Sequence, residues 1–263
     1  MVTRPTSPAR LYRVMRDNLG SIRKVYLRSN TIVRRGDFAD HPETVLLLHG
    51  FFQTRNVWEV MEDRLRHEGY GVISFDLGGL FWRYNTRGLP ELGEMIADKI
   101  ERIAERYDLQ RFHIVGHSKG GLLARHYVQH HGGHKRVKSV ITLGTPHHGT
   151  PTAAIGVALF AGGLLSRSPF DMLPGSAFVR MLSRDSFPAS IPLVSVYSTA
   201  DVVCPHWFSV LRPGEGDTSM RNIRVRGVGH TALCHDPGVY HIVRAQLAAA
   251  NELWEARERA RSS

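Results

Sequence analysis

From Thr44 onward the chain repeats one pattern, and that pattern restricts the fold more than any other feature. A short run of leucine and β-branched residues is followed by a longer stretch in which apolar residues recur every three or four positions. TVLLLHG (44–50), GVISFDL (71–77), RFHIVGHS (111–118), VKSVITLGTP (137–146), IPLVSVYS (191–198) and NIRVRGVG (222–229) are the strand candidates. They are short and bounded by glycine, proline or polar residues, as buried strands are. Between them, Trp58, Met61 and Leu65 have helical spacing, as do Met95, Ile96, Ile100, Ile103 and Ala104 within 92–107. LLARHYVQHH (122–131) and a segment over about 238–259 complete the helices. Strands separated by helices predict a mostly parallel central sheet with helices on both faces, and in such sheets reactive residues collect at the carboxyl ends of the strands.

One of those ends carries the sequence VGHSKGG (115–121), with Ser118 at the turn from strand to helix. A G-x-S-x-G match alone is weak, because serine and glycine are common. A serine hydroxyl is also a poor nucleophile at neutral pH unless a base lies within hydrogen-bond reach and a third group orients that base. Both groups are available in the right order: Asp201 follows the strand 191–198 in STADVVCP, and His230 follows the last strand in GVGHTAL. All three sit at carboxyl ends of predicted strands and so on one edge of the sheet. Asp236 and Asp76 remain open as alternatives for the acid. On the same edge HGFFQT follows the first core strand, so the backbone N–H groups of Phe51 and Lys119 are the expected oxyanion donors.

With these residues in order, the chain resembles the serine-dependent α/β-hydrolases, in particular bacterial lipases and the lipase-like esterases related to inositol deacylases. The likeness runs over about 44–247 and rests on LLLHGF, IVGHSKGGLLAR, ITLGTPHHGT, STADVVCP and LPGSAFVRML. It implies ester hydrolysis through an acyl-enzyme at Ser118, assisted by His230 and Asp201, with no cofactor. Lys119 departs from the family, where Met or Gln is commoner at that position. The change leaves the backbone donor intact and bears on substrate preference. Asp217 and Asp236 are acids near the triad loops, but their spacing supports no metal. His147 and His148 belong to a family segment that shapes the site wall and are not expected to be catalytic.

Residues 150–190 break the alternation: they hold no clear strand, are rich in Gly, Pro and Ser, and still carry apolar clusters. Long insertions of this kind are usually functional. We expect a helical cap whose inner faces line an acyl pocket, with Phe52, Leu159, Phe160, Leu164, Phe170 and Met172 as its lining. His126 and His130 have the i, i+4 spacing of zinc ligands, but no third ligand completes a site, and a solvated helix end is expected there. Cys204 and Cys234 follow the acid and the histidine closely enough that a disulfide between the two loops is geometrically open.

The formal net charge is +10, and six of those charges come from residues 1–40, which hold nine Lys or Arg against three acids. Apolar residues from Leu11 to Val25 recur at helical spacing between the arginines, so this arm is an amphipathic helix candidate. It either packs on the domain over 41–263 or contacts a membrane surface peripherally. No recognition motif accompanies the charge, and nucleic acid is not an expected partner. The longest apolar run, AIGVALFAGGLL, is shorter than the roughly 20 residues a membrane-spanning helix needs. With no apolar segment of secretory-signal type before Val45, a cytoplasmic location is expected. The expected substrate is a small-molecule or lipid ester. An acyltransferase or thioesterase with the same triad, and a membrane-associated binding protein with a vestigial site, are the rival readings.

Overall fold

The computed structural model describes residues 36–78, 85–159, 166–214 and 217–262. The expected basic arm therefore falls outside the described residues as far as position 35, as do Phe160 and Leu164. Six strands form one sheet: β1 (Thr44–Leu48), β2 (Gly71–Ser74), β3 (Phe112–His117), β4 (Val137–Leu143), β5 (Leu193–Ser198) and β6 (Met220–Val225). Their order is β2-β1-β3-β4-β5-β6 and every pairing is parallel. Every residue of β1, β3 and β4 is buried, which explains why their sequences show no apolar–polar alternation, and the polar residues they do carry, such as His113 and Lys138, are buried too. At the edge, β6 buries none of its six residues fully and carries Arg221 and Arg224. It begins two positions before the expected run and stops at Val225, and Gly227 follows in a left-handed conformation with φ 72.

Side chains alternate between the two faces of the sheet. Leu46, Leu48 and Ile114 pack in one layer with Leu92, Ile96 and Ile100 of α2 (Leu89–Tyr107) and with Leu122 and Leu123 of α3 (Lys119–His130). Val45, Leu47, Val115 and Ile141 face the other way. They meet Met61 and Leu65 of α1 (Glu59–His67) and Val239, Val243 and Leu247 of the C-terminal helix (Pro237–Ser262). Both faces are thus covered, as the alternation predicts. Among the described residues no helix is long and apolar enough to cross a membrane.

The chain reverses direction across the sheet between β1 and β3, because the connection through α1 runs outward to β2 and the next one, through α2, returns past β1. That is the topological switch point, where the carboxyl ends of the two strands splay and leave a crevice. The insertion after β4 contributes three short helices, α4 (Ala153–Leu159), α5 (Ser168–Asp171) and α6 (Ala177–Arg184). The last is capped by Ser176, whose hydroxyl accepts from Val179 N at 3.2 Å. A further turn, α7 (His206–Ser209), follows β5, and the C-terminal helix is α8.

Candidate active site

Ser118 stands between β3 and α3 with φ 53 and ψ −123, a conformation that L-residues rarely adopt. The turn is tight because backbone packs on backbone. A Cβ built on Gly120 would lie 2.0 Å from Leu48 O, and one on Gly116 would lie 2.6 Å from Gly121 Cα. Only glycine fits either position, which gives the glycines around the serine a steric reason. Ser118 N donates to Leu143 O at 2.9 Å, anchoring the turn against the end of β4. Among the described residues no hydrogen bond engages the Ser118 hydroxyl; such contacts are commonly long before substrate binds.

His230 Nδ1 lies 2.6 Å from Asp201 Oδ2, and Asp201 is held from its other side, where Oδ1 accepts from Val203 N at 2.9 Å and Cys204 N at 2.8 Å. With Nδ1 committed to the carboxylate, Nε2 is the nitrogen left to act as a base. The other acids have different work. Asp76 Oδ1 accepts from Arg55 N, and Asp236 Oδ1 accepts from Val239 N in the first turn of α8. The pair is brought beside the serine turn through β4. A Cβ on Gly144, the residue after Leu143, would lie 2.9 Å from Asp201 Oδ2 and 3.2 Å from His230 Nδ1. Ser118 and His230 are each 9 % exposed, at the boundary between core and solvent.

Behind these residues lies a buried hydrogen-bonded layer that the sequence did not announce. His117 Nε2 is 3.0 Å from His230 O, and His117 Nδ1 is 3.0 Å from Gln53 Oε1, which also accepts from Gly50 N at 2.9 Å. Burial holds the His117 ring neutral, its pKa well below the usual imidazole value, with His230 opposing its charge as well. A neutral ring has one proton for two oxygens. His117, at the end of β3, therefore donates either to the base loop or to the HGFFQ loop, according to which nitrogen carries it. Asn85 joins the same loop: Phe52 N donates to Asn85 O at 3.0 Å and Asn85 Nδ2 donates to His49 O at 3.1 Å. His49 is pushed down to about 4 by burial, with Asp76 acting against the shift. Gln53 and His117 could have been suspected from their places beside Gly50 and Ser118. Asn85 lies in a connection without periodicity and gave no signal.

The HGFFQ loop closes over the switch point. A Cβ on Gly50 would lie 3.0 Å from Ser118 Cβ, so the backbone leading into Phe51 runs directly past the serine. Lys119 N is in the first turn of α3, where N–H groups have no intrahelical acceptor and the helix dipole favours negative charge. The Lys119 side chain, expected near substrate, is instead fully buried. Its Nζ donates to Asn85 Oδ1 at 2.8 Å and to Arg87 O at 2.6 Å.

The described members of the expected acyl lining differ in exposure. Met172 is buried in the core, Phe52 is partly buried with φ 53, and Leu159 and Phe170 are 74 % and 41 % exposed. Leu159 is the last residue of α4, a helix in which only Ala153 is buried. His126 corrects the expectation of a solvated helix end. It is buried against Phe178 at a ring distance of 5.0 Å, and its pKa is pushed down to about 3 by burial, then by His131 and His130. His147 is buried against Thr142 Oγ1 at 3.0 Å, in keeping with a wall residue. Cys204 and Cys234 are free, buried thiols, which closes the disulfide question in this structure.

Comparison with known proteins agrees with this architecture. Residues 43–167 match the family model of the alpha/beta hydrolase fold. A Bacillus licheniformis lipase in its mature form superposes with a TM-score of 0.62 at 18% identity, covering 82% of this chain and 95% of that one. A monoacylglycerol lipase of Paleococcus ferrophilus gives a TM-score of 0.57 at 16% identity over 80% and 94%. In sequence, a probable lysophospholipase of Arabidopsis thaliana, BODYGUARD 4, is 30% identical over 107 residues, 40% of this chain. The matched stretch spans 25% of that protein's length.

Proposed function

Starting from an α/β-hydrolase fold shared with lipases and esterases, we propose that this protein hydrolyses carboxylic esters of apolar acyl chains, with Ser118 as nucleophile, His230 as base and Asp201 as its orienting acid. The observation that carries the reading is the His230–Asp201 contact at 2.6 Å, on the same strand-end edge as a serine held at φ 53. In the cycle, His230 Nε2 takes the Ser118 proton as Oγ attacks the ester carbonyl, and Asp201 stabilises the imidazolium. The imidazolium then protonates the leaving alcohol. Water, deprotonated by His230 in turn, releases the acid from Ser118. The backbone N–H groups of Phe51 and Lys119 receive the oxyanion, each worth about 3 kcal/mol of barrier.

Lipid esters suit the surroundings better than small polar esters. Ile155, Leu159, Val202 and Trp207, on α4 and on the segment after Asp201, are all more than half exposed and offer apolar contact. Thr152 Oγ1 donates to Val203 O, which ties the start of that helix to the acid loop. Structural and sequence relatives named for monoacylglycerol and lysophospholipid hydrolysis make single-chain acyl esters the first substrates to try. A fluorophosphonate probe should label wild type and leave Ser118→Ala unlabelled. The same variant should lose turnover of p-nitrophenyl esters while keeping its circular dichroism spectrum. Full activity in Ser118→Ala rejects the reading. Hydrolysis products, with water, alcohol or thiol offered together, separate an esterase from an acyltransferase.

A further inference from the structure

Lys119 directly follows the proposed nucleophile, yet its side chain turns away into the protein and is completely buried. Its Nζ grips one strip of chain, donating to Asn85 Oδ1 at 2.8 Å and Arg87 O at 2.6 Å. The insertion holds the same strip. Ser166 Oγ donates to Thr86 O, and Asp171 Oδ2 accepts from Leu89 N at 2.8 Å. Residues 85–89 are therefore held both by Lys119, in the turn that carries Ser118, and by α5 and the segment leading into it. Asn85 simultaneously holds the HGFFQ loop through Phe52 N and His49 O. Phe51 completes the contact: Lys119 Nζ lies 5.9 Å from its ring centroid, and a Cβ on Gly156 of α4 would lie 4.0 Å from Phe51 Cε1.

We propose that Lys119 is a positioning residue for acyl-chain selection, whose buried amine ties the insertion over 150–190 to the oxyanion loop through residues 85–87. The proposal rests on the esterase reading for its substrate, and on geometry alone for the tie. A buried amine with two short hydrogen bonds is costly to place and costly to remove, since its loss leaves two acceptors unpaired. Burial pulls the Lys119 pKa well below the usual lysine value, and the neighbouring carboxylates of Asp171 and Glu91 act against that shift. Asp171 itself is raised by burial, with the Leu89 N–H, Lys119 and Arg167 opposing. A methionine at position 119 makes neither bond, and a glutamine is one atom shorter than lysine, so the departure from the family pattern gains a physical role.

The test compares Lys119→Met, Lys119→Gln and Ser166→Ala in the full chain. Amide hydrogen exchange over residues 85–89 and 166–172 should speed up about tenfold in Lys119→Met and Ser166→Ala, the scale of one lost buried hydrogen bond. Lys119→Gln, whose amide can still donate but reaches less far than Nζ, should fall between wild type and Lys119→Met. In turnover, Lys119→Met and Ser166→Ala should both lower kcat/KM for a dodecanoyl ester about tenfold more than for an acetyl ester, mainly through KM. Asp171→Asn combined with Lys119→Met should be less than additive. Unchanged exchange in both single variants overturns the tie whatever the esterase assays give, and Ser166→Ala keeps that test open if Lys119→Met fails to fold. Faster exchange with an equal loss on both esters overturns the role in selection. Wild type without esterase activity but with faster exchange in the variants overturns the proposed function and leaves the tie standing.

Discussion

The serine turn and the insertion above it are built on different physical terms. Around Ser118 nearly every atom is specified by backbone: glycines that admit no Cβ, a strand on either side, and a buried layer of His117, Gln53 and Asn85. Above it, α4 exposes Ile155 and Leu159, and α5 exposes Phe170. One region tolerates almost no change of shape, and the other is held by a few side-chain bonds. The difference teaches that the shape of the serine turn is committed by the sheet, while the insertion above it can drift in sequence without loss of the fold.

Predictions that test this contrast range widely in size. Asp201→Asn should lower kcat by about 10⁴-fold with little change in KM, because the imidazole loses the partner that fixes its tautomer and stabilises its charge; a loss under tenfold breaks the assignment. Gly120→Ala should cost about 3 kcal/mol or prevent folding, since the new Cβ meets the carbonyl of Leu48 and not a flexible side chain. A urea midpoint close to wild type would show that the turn is less rigid than described. His126→Phe should stabilise the protein by about 1 kcal/mol or more, because His126 Nδ1 is buried with no hydrogen-bond partner among the described residues and the phenyl ring has no such atom.

That gain should widen on acidification. The unfolded histidine binds a proton below about pH 6.5, whereas the folded ring stays neutral down to about 3. Wild-type stability therefore falls as pH drops below the unfolded value, and the phenylalanine variant escapes this contribution. Equal urea-midpoint differences at neutral and mildly acidic pH would contradict it. Smallest in stability, Leu159→Ser should stay within about 0.5 kcal/mol of wild type while weakening long-chain esters relative to short ones. A large loss of stability would mean that the residue is not an outer surface.

Much of this was readable before any coordinates. Runs such as TVLLLHG and VKSVITLGTP are dominated by leucine and β-branched residues because both faces of β1 and β4 are covered, and that is visible in a linear string. Ser118, Asp201 and His230 could be placed because each follows such a run, and in a parallel sheet all runs end on one edge. What stayed hidden depends on direction and not on type. Nothing in the spacing says that the Lys119 side chain turns toward Asn85, or that Leu159 faces out. His126 also misled, since a histidine-rich helix end looks solvated until Gly93 of α2 brings the neighbouring helix close enough that a Cβ there would lie 2.1 Å from His126 Nδ1.

The central place of β3 bears on how the protein comes to life. Its neighbours β1 and β4 are joined to it by helices, and the carboxylate and imidazole arrive only with the last third of the chain. Pairings between such distant stretches close slowly. A ribosome would thus finish the turn that carries Ser118 well before Asp201 and His230 are made. In refolding, ellipticity should return first, and turnover by the proposed triad last.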